Sequence, residues 1–171
     1  MIRGVSGSVI ERIKPGVWAQ RTHPDFSPVA AVPYIVSGEQ YADRCYVSLL
    51  SALALRGMIQ QMPGSIHVMV TAQRRALVTP VARYECHRID PAIFGGFTDF
   101  GTRSTFPLAT PAKALFDTLL VSVVRGRRVA FLPEVTFPKS FDFKEMERWI
   151  AKIRNPRTRS AVRSKWEQLQ R

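Results

Sequence analysis

The sequence has little cysteine and histidine and no long apolar run. Only two cysteines, Cys45 and Cys86, and three histidines occur among 171 residues. Because a structural zinc site needs about four ligands, this sparse set predicts none. We expect the two cysteines to be buried thiols in a reducing cytoplasm, with a disulfide or a reactive thiol as the alternative. No stretch reaches the roughly 18 apolar residues of a membrane-spanning helix, and the N-terminus lacks the apolar core of a secretory signal. These absences predict a cytoplasmic protein with no membrane partner.

The usual catalytic motifs are also missing. The sequence contains no GxGxxG or GxxxxGK[ST] phosphate loop, no HExxH metal motif and no GxSxG nucleophile turn. One weak nuclease-like pattern occurs at 142–144, where Asp142 and Lys144 fit the (D/E)xK half of a signature whose upstream acid would be Asp117 or Glu134. Such enzymes need carboxylates that converge on Mg²⁺, whereas Asp117 falls inside an apolar helix pattern and Asp142 suits a helix cap. The sequence therefore predicts no catalytic residue, no metal site and no cofactor.

Two of the histidines, His67 and His87, fall in predicted strands that are neighbours along the chain. An ordinary hydrogen-bonded histidine within a sheet is the favoured interpretation. A metal ligand or a catalytic base is the alternative.

Acidic residues are scarce beside basic ones. The chain has 25 Lys and Arg against 13 Asp and Glu, a formal net charge of +12, and residues 101–171 hold 15 of the basic and 6 of the acidic groups. A polyanion is the usual reason for such a surplus, because each phosphate neutralised by Lys or Arg releases condensed counterions. A generically basic protein is the alternative. The predicted nucleic-acid-binding residues are Arg12, Lys14, Arg74, Arg75, Arg125, Arg127, Arg128, Lys152, Arg154, Arg157, Arg159, Arg163 and Lys165.

Periodicity and turn signals predict an α+β fold. Residues 8–20 alternate around Pro15-Gly16 and predict a β-hairpin, and the prolines of 21–40 predict a linker. Strands are predicted at 66–70 and 81–89, with a further hairpin at 97–108 around Gly101. Because regular βαβ alternation is absent, we expect a mixed sheet with helices on one side.

Helices are predicted from cap residues and apolar spacing. Ser48 and Gly57 bound the first, and Thr110-Pro111 and Gly126 bound the clearest one. Asp142 starts a third helix, and a basic fourth follows Pro156.

Three short segments, in order, resemble one protein family. YVSLLSALALRGMI at 46–59, followed by IHVMVT at 66–71, is similar to the Y-[IV]-S-x-x-S-A-L-x-x-x-G-[LM]…I-x-V-x-T stretch of AbiEi antitoxins. LATPAKALFD at 108–117 is similar to that family's [IL]-A-T-P-E-K-A-L-x-D, with Ala112 in place of its glutamate. IERIKPGVW at 10–18 resembles the wing of its N-terminal winged helix.

The resemblance implies an antitoxin-type DNA-binding transcriptional regulator of a type IV toxin–antitoxin, or abortive infection, system. Such proteins repress their own promoter and oppose a nucleotidyltransferase-like toxin, commonly without a tight complex. The implied organisation is a wing-like hairpin at 1–22, an AbiEi-like α+β core at 23–137 and a basic helical C-terminal extension at 138–171. The family's recognition helix precedes the wing and is absent from the printed sequence, so we expect weak DNA binding with little sequence preference. A non-catalytic RNA- or protein-interaction module, or a degenerate nuclease-like domain, is the alternative.

The spacing of Lys113 and Asp117 also allows two interpretations. They are four residues apart in a predicted helix, and a local ion pair of ~0.3–0.5 kcal/mol is favoured. A family feature that positions the helix or contacts a partner is the alternative.

Overall fold

Two β-sheets and four α-helices make up the described part of the chain. The computed structural model describes residues 2–3, 9–14, 17–20, 27–37, 45–72, 75–101, 105–126 and 132–171. Strands and helices occur in mixed order rather than as repeated βαβ units, so the predicted α+β class is confirmed.

The N-terminal sheet has three antiparallel strands, β1 (Ile2–Arg3), β2 (Val9–Lys14) and β3 (Val17–Gln20), in the order β1-β2-β3. Strands β2 and β3 form the predicted hairpin, with a register shift between Arg12 and Lys14. Strand β1 was not predicted, because two residues are too few to show alternation.

The main sheet has six strands in the order β6-β7-β5-β4-β9-β8. The pairs β4–β9 and β5–β7 are parallel, while β4–β5, β6–β7 and β8–β9 are antiparallel. The predicted mixed sheet and the hairpin around Gly101 are therefore confirmed. The strands are β4 (Cys45–Val47), β5 (Ile66–Val70), β6 (Leu77–Val78), β7 (Arg83–Arg88), β8 (Phe97–Phe100) and β9 (Phe106–Ala109).

Helix α1 (Leu49–Leu55) follows β4 directly and ends where the sequence predicts. Gly57 has φ +70°, and the Met58 N–H donates to the Leu53 carbonyl over 2.8 Å. This is the outer bond of a Schellman motif, which favours glycine at that position. Ser48 occupies the N-cap position, but its hydroxyl makes no capping bond.

Helix α2 (Pro111–Arg125) is the central helix, and both predicted ends are confirmed. The Thr110 hydroxyl accepts from the Lys113 N–H, and Gly126 caps the other end with φ +71°. Every side chain from 112 to 122 is buried, where the sequence predicted one apolar face. Helix α2 therefore lies between the main sheet and the other helices.

Helices α3 (Phe143–Ala151) and α4 (Pro156–Leu169) both pack against α2. Each begins at an Asx cap, which the sequence predicted at Asp142 but not at Asn155. The Asp142 carboxylate accepts from the Glu145 N–H, and the Asn155 side chain accepts from the Thr158 N–H. Their inward side chains belong to the same core as the sheet; these are Met146, Trp149, Ile150, Ile153, Val162 and Trp166.

Residues 27–37 pack into the core, so the prediction of a linker at 21–40 is wrong for this part. A single π-helical turn, Pro33–Ser37, follows Val32, and Val32, Ile35 and Val36 are buried. Pro33 begins this turn, and Pro28 lies in the turn at 28–31 that precedes it. The rest of the predicted linker, 21–26 and 38–40, lies outside the described residues.

The same segment covers the sheet face opposite α2. Cross-strand register places Tyr46, Met69 and His87 on one face, and strand alternation then places Tyr84 on the other. The Tyr84 hydroxyl donates to the Pro28 carbonyl over 2.9 Å. The sequence predicted helices on one side of the main sheet, and it did not predict this helical turn on the other side.

Cys45 and Cys86 are both buried, as predicted. None of the helices in the described ranges combines the length and hydrophobicity that crossing a bilayer requires.

Candidate functional site

A buried polar cluster joins strand β4 to helix α2. The Lys113 ammonium donates to one Asp117 carboxylate oxygen over 2.8 Å. The other oxygen accepts from the Tyr46 hydroxyl at 2.9 Å and from the Ser48 hydroxyl at 2.8 Å. The ammonium also donates to the Ile93 carbonyl over 2.8 Å. Each charge in this cluster therefore has hydrogen-bond partners besides the opposite charge.

The predicted Lys113–Asp117 pair is present, but it is not a surface pair. Both side chains are 0% exposed, so the magnitude expected for an exposed helix pair does not apply. Burial raises the pKa of Asp117 and lowers the pKa of Lys113, while their mutual attraction opposes both shifts. The ammonium also lies 4.3 Å from the Trp149 ring centre and 4.7 Å from that of Phe116. Removal of either charge would leave the other buried and unpaired.

Gly96 leaves room for the side chains of both Trp149 and Lys113. A Cβ at this position would lie 2.7 Å from a Trp149 ring carbon and 3.0 Å from Lys113 Cγ, and its φ is +71°. The Gly96 carbonyl accepts from the Thr110 N–H. Thr110 in turn donates its hydroxyl to Glu145, which also accepts from the Trp149 indole. This network fixes α3 against the start of α2.

Two of the sequence segments described above, 46–59 and 108–117, meet in this cluster. Tyr46 and Ser48 come from the first segment, and Lys113 and Asp117 from the second. The cluster therefore gives a physical reason for these residue types at these spacings, which is to hold β4, α1 and α2 together.

The weak nuclease pattern does not assemble into a carboxylate centre. Asp117 is enclosed with its oxygens bonded, and Asp142 caps α3 and pairs with Arg148 at 3.2 Å. Glu134 is exposed in a segment without regular structure. Within the described ranges, no group of three or more His, Cys, Asp or Glu residues could hold a metal ion.

His67 and His87 form a direct contact beneath the last turn of α2. His67 Nδ1 lies 3.1 Å from His87 Nε2, and His87 Nδ1 lies 3.3 Å from the Arg125 guanidinium. Burial, then the charges of His67 and Arg125, lower the pKa of His87 to about 4, opposed by Glu85. Burial also lowers the pKa of His67. Both imidazoles are therefore neutral at pH 7, as expected for hydrogen-bonded sheet histidines.

The predicted basic residues of the N-terminal half that the structure describes lie on the hairpin and before β6. Arg12 is exposed on β2 with its guanidinium 5.8 Å from the Trp18 ring centre, and Lys14 ends the same strand. Arg75 is exposed before β6, and Arg74 lies outside the described residues.

The predicted basic residues of the C-terminal half divide into three groups. Arg127 and Arg128 lie outside the described residues. Four of the others are held by neighbours: Arg125 by the His87 imidazole, Arg159 by the Ile153 carbonyl, Arg163 by the Glu147 carboxylate and Lys165 by the Ser122 hydroxyl.

Three cations around the α3–α4 junction are exposed and have no carboxylate partner among the described residues. Lys152 lies 4.2 Å from the Trp149 ring centre, Arg154 is in the connection, and Arg157 is in the first turn of α4. We call Lys152, Arg154 and Arg157 the junction cations. Sequence reasoning included them but could not separate them from the rest of the basic tail.

Sequence reasoning missed the roles of Tyr46, Ser48 and Glu147. Glu147 accepts from both the Arg163 guanidinium and the Trp166 indole. A sequence signal existed for Ser48, because a polar residue that directly follows a buried apolar strand needs a hydrogen-bond partner.

A scan against protein-family models and a search of the curated proteins return no match to this chain.

Proposed function

We propose that this protein binds DNA as an antitoxin-type transcriptional regulator, an autorepressor of a type IV toxin–antitoxin or abortive infection system. The observation that carries the proposal is the junction cations, which are exposed and have no carboxylate partner in the part of the chain that the structure describes. Solvated cations without acidic neighbours are available to neutralise backbone phosphates.

The resemblance to AbiEi antitoxins gives the regulatory part of the proposal. Its two longer motif segments supply the four side chains of the buried cluster, which supports reading them as parts of one folding unit. We propose that the β2–β3 hairpin, on which Arg12 is exposed, is the counterpart of that family's wing. We propose that this hairpin and the junction cations contact one DNA duplex.

The junction contacts account for affinity to DNA and leave the choice of promoter to other parts of the protein. Arg and Lys contacts to phosphate position a protein without reading base sequence. Binding at its own promoter would lower transcription by occupying DNA that RNA polymerase needs. A nucleotidyltransferase-like toxin is the proposed functional partner, and the cytoplasm is the proposed location.

The test is a reporter driven by the promoter region of the protein's own gene. Expression of the wild-type chain should lower reporter output, and the Arg154→Glu/Arg157→Glu variant should restore it at equal protein level. We expect a gene for a nucleotidyltransferase-like toxin beside the gene for this protein, and co-expression should relieve growth inhibition by that toxin. Unchanged reporter output with wild-type protein would overturn the proposal.

Fluorescence anisotropy with duplex DNA and single-stranded RNA of equal length distinguishes DNA binding from the RNA-binding alternative. Tighter binding to RNA at every salt concentration would favour the RNA-interaction module.

A further inference from the structure

A directed chain of hydrogen bonds runs from the surface into the sheet at the end of α2. Arg125 is exposed, whereas His87 is 3% exposed and lies beneath it. A guanidinium can only donate, so Arg125 donates to His87 Nδ1 over 3.3 Å. The neutral His87 ring must then carry its proton on Nε2 and donate to His67 Nδ1 over 3.1 Å. The network therefore assigns one tautomer to His87.

This arrangement holds Arg125 without neutralising it. A carboxylate at the position of His87 would cancel the charge of Arg125, but a neutral imidazole only orients the guanidinium. The nearby acid, Glu85, is paired with Arg83 at 2.6 Å. Among the described residues, Arg125 has no carboxylate partner. An oriented guanidinium keeps most of its five N–H donors for a ligand.

A second cation is fixed one turn earlier along α2. The Lys165 ammonium of α4 donates to the Ser122 hydroxyl over 2.9 Å, and Ser122 precedes Arg125 by three residues, the spacing of neighbours on a helix surface. Lys165 also lacks a carboxylate partner in the described ranges. Arg125 and the serine that anchors Lys165 are therefore neighbours on α2, and each cation is held by a neutral group. An anion placed beside both would be attracted by both charges.

We propose that Arg125 and Lys165 form a binding site for a phosphodiester group of the nucleic-acid backbone, and that His87, supported by His67, is the positioning residue for Arg125. This inference rests on the proposed function. It extends that function because it adds a second phosphate contact, at the end of α2, to the contact made by the junction cations. A bidentate guanidinium–phosphate contact explains why an oriented arginine is used here.

The first test is the salt dependence of duplex DNA binding, measured by anisotropy between 50 and 200 mM salt. Loss of one phosphate contact makes the slope of log affinity against log salt shallower by about 0.9. Over this range the affinity of wild type should therefore fall by a factor about three times larger than the affinity of Arg125→Gln does. His87→Leu should show the same smaller slope, because it removes the acceptor for Arg125. His87→Asn should keep the wild-type slope, because its amide oxygen can replace Nδ1. Lys139→Gln, an exposed cation away from α2, is the matched control.

The second test does not require DNA binding. Inorganic phosphate is titrated into labelled protein while the NMR signals of the Arg125 side-chain N–H and the His87 ring nitrogens are followed. We expect protonated Nε2 in His87, with Arg125 shifts that saturate in wild type and are lost in His87→Leu. Wild-type DNA binding with an unchanged Arg125→Gln slope would overturn this inference and leave the proposed function standing. The absence of DNA binding, together with phosphate-induced shifts that saturate, would overturn the proposed function and leave the anion site at Arg125 standing.

Discussion

The Lys113–Asp117 pair shows what sequence spacing predicts at the residue scale. Their separation of four residues predicted the pair, and the pair is present. The contacts from Tyr46 and Ser48 span 71 and 69 residues, and no local pattern encodes contacts at that distance. Gly96 is a similar case, because its need for a missing Cβ arises only when Trp149 packs against it.

The buried pair should be much more important for stability than an exposed lysine nearby. Lys113→Met leaves the Asp117 carboxylate buried without its ammonium, and the free energy of unfolding should fall by about 3–5 kcal/mol. Lys152→Met is the matched control, since Lys152 lies over the same Trp149 ring but is exposed, and should change it by about 0.5 kcal/mol or less. Urea unfolding followed by far-UV circular dichroism measures both. Equal changes in the two variants would contradict the structural role of the pair.

His87 should make the protein sensitive to acid. Its pKa is lowered to about 4 in the folded state, against about 6.5 in an unfolded chain. The folded state therefore binds fewer protons between these values, and the stabilisation, complete above about pH 6.5, is lost as the pH falls toward 4. The loss amounts to about 3 kcal/mol over that window. Unfolding free energies measured from pH 7.5 to 4 should show it in wild type, and His87→Asn should reduce the pH dependence by that amount. A variant as acid-sensitive as wild type would show that His87 titrates normally.

At the scale of elements, cap residues predicted helix ends better than periodicity predicted strands. Thr110, Asp142 and Gly57 mark ends that the structure confirms, because caps act locally on the backbone. Strands β1 and β6 are two residues long, and β4 is a three-residue apolar run. Such short segments carry no period, so their pairing is decided by the rest of the sheet.

Helix α2 should contribute more to stability through its inward aromatic side chain than through its exposed end. Phe116 is fully buried with its ring centre 6.0 Å from that of Trp149. Phe116→Ala should lower the free energy of unfolding by about 3–5 kcal/mol, the range for deletion of a buried phenylalanine. Val124→Ala is the control on the same helix, because Val124 is 66% exposed. Denaturant midpoints compare the two, and a loss below about 1 kcal/mol for Phe116→Ala would contradict the packing described here.

For the whole molecule, the sequence predicted the surplus of positive charge but not its distribution among interactions. Arg163 pairs with Glu147, and Arg159 donates to the Ile153 carbonyl, so these two help to fix α4. Arg154 and Arg157 have no such bonds in the described part of the chain. A cation's partners depend on tertiary packing, which a count of charges does not contain.

The junction cations should therefore be separable from the general charge of the molecule. Two double variants test this, Arg154→Glu/Arg157→Glu and Lys139→Glu/Lys144→Glu. All four residues are exposed, and each double variant lowers the net charge of +12 by the same amount. If Arg154 and Arg157 contact phosphates, their reversal should make the slope of log affinity against log salt shallower by about two units. The lysine pair should alter that slope far less, because a distant charge acts only through a field that salt screens within about 10 Å. Anisotropy with a specific and a scrambled duplex measures both variants, and the arginine reversal should weaken the two duplexes alike, since phosphate contacts carry no sequence information. Equal slopes for the two double variants would mean that the surplus acts as a whole, and the junction would then not be the DNA contact.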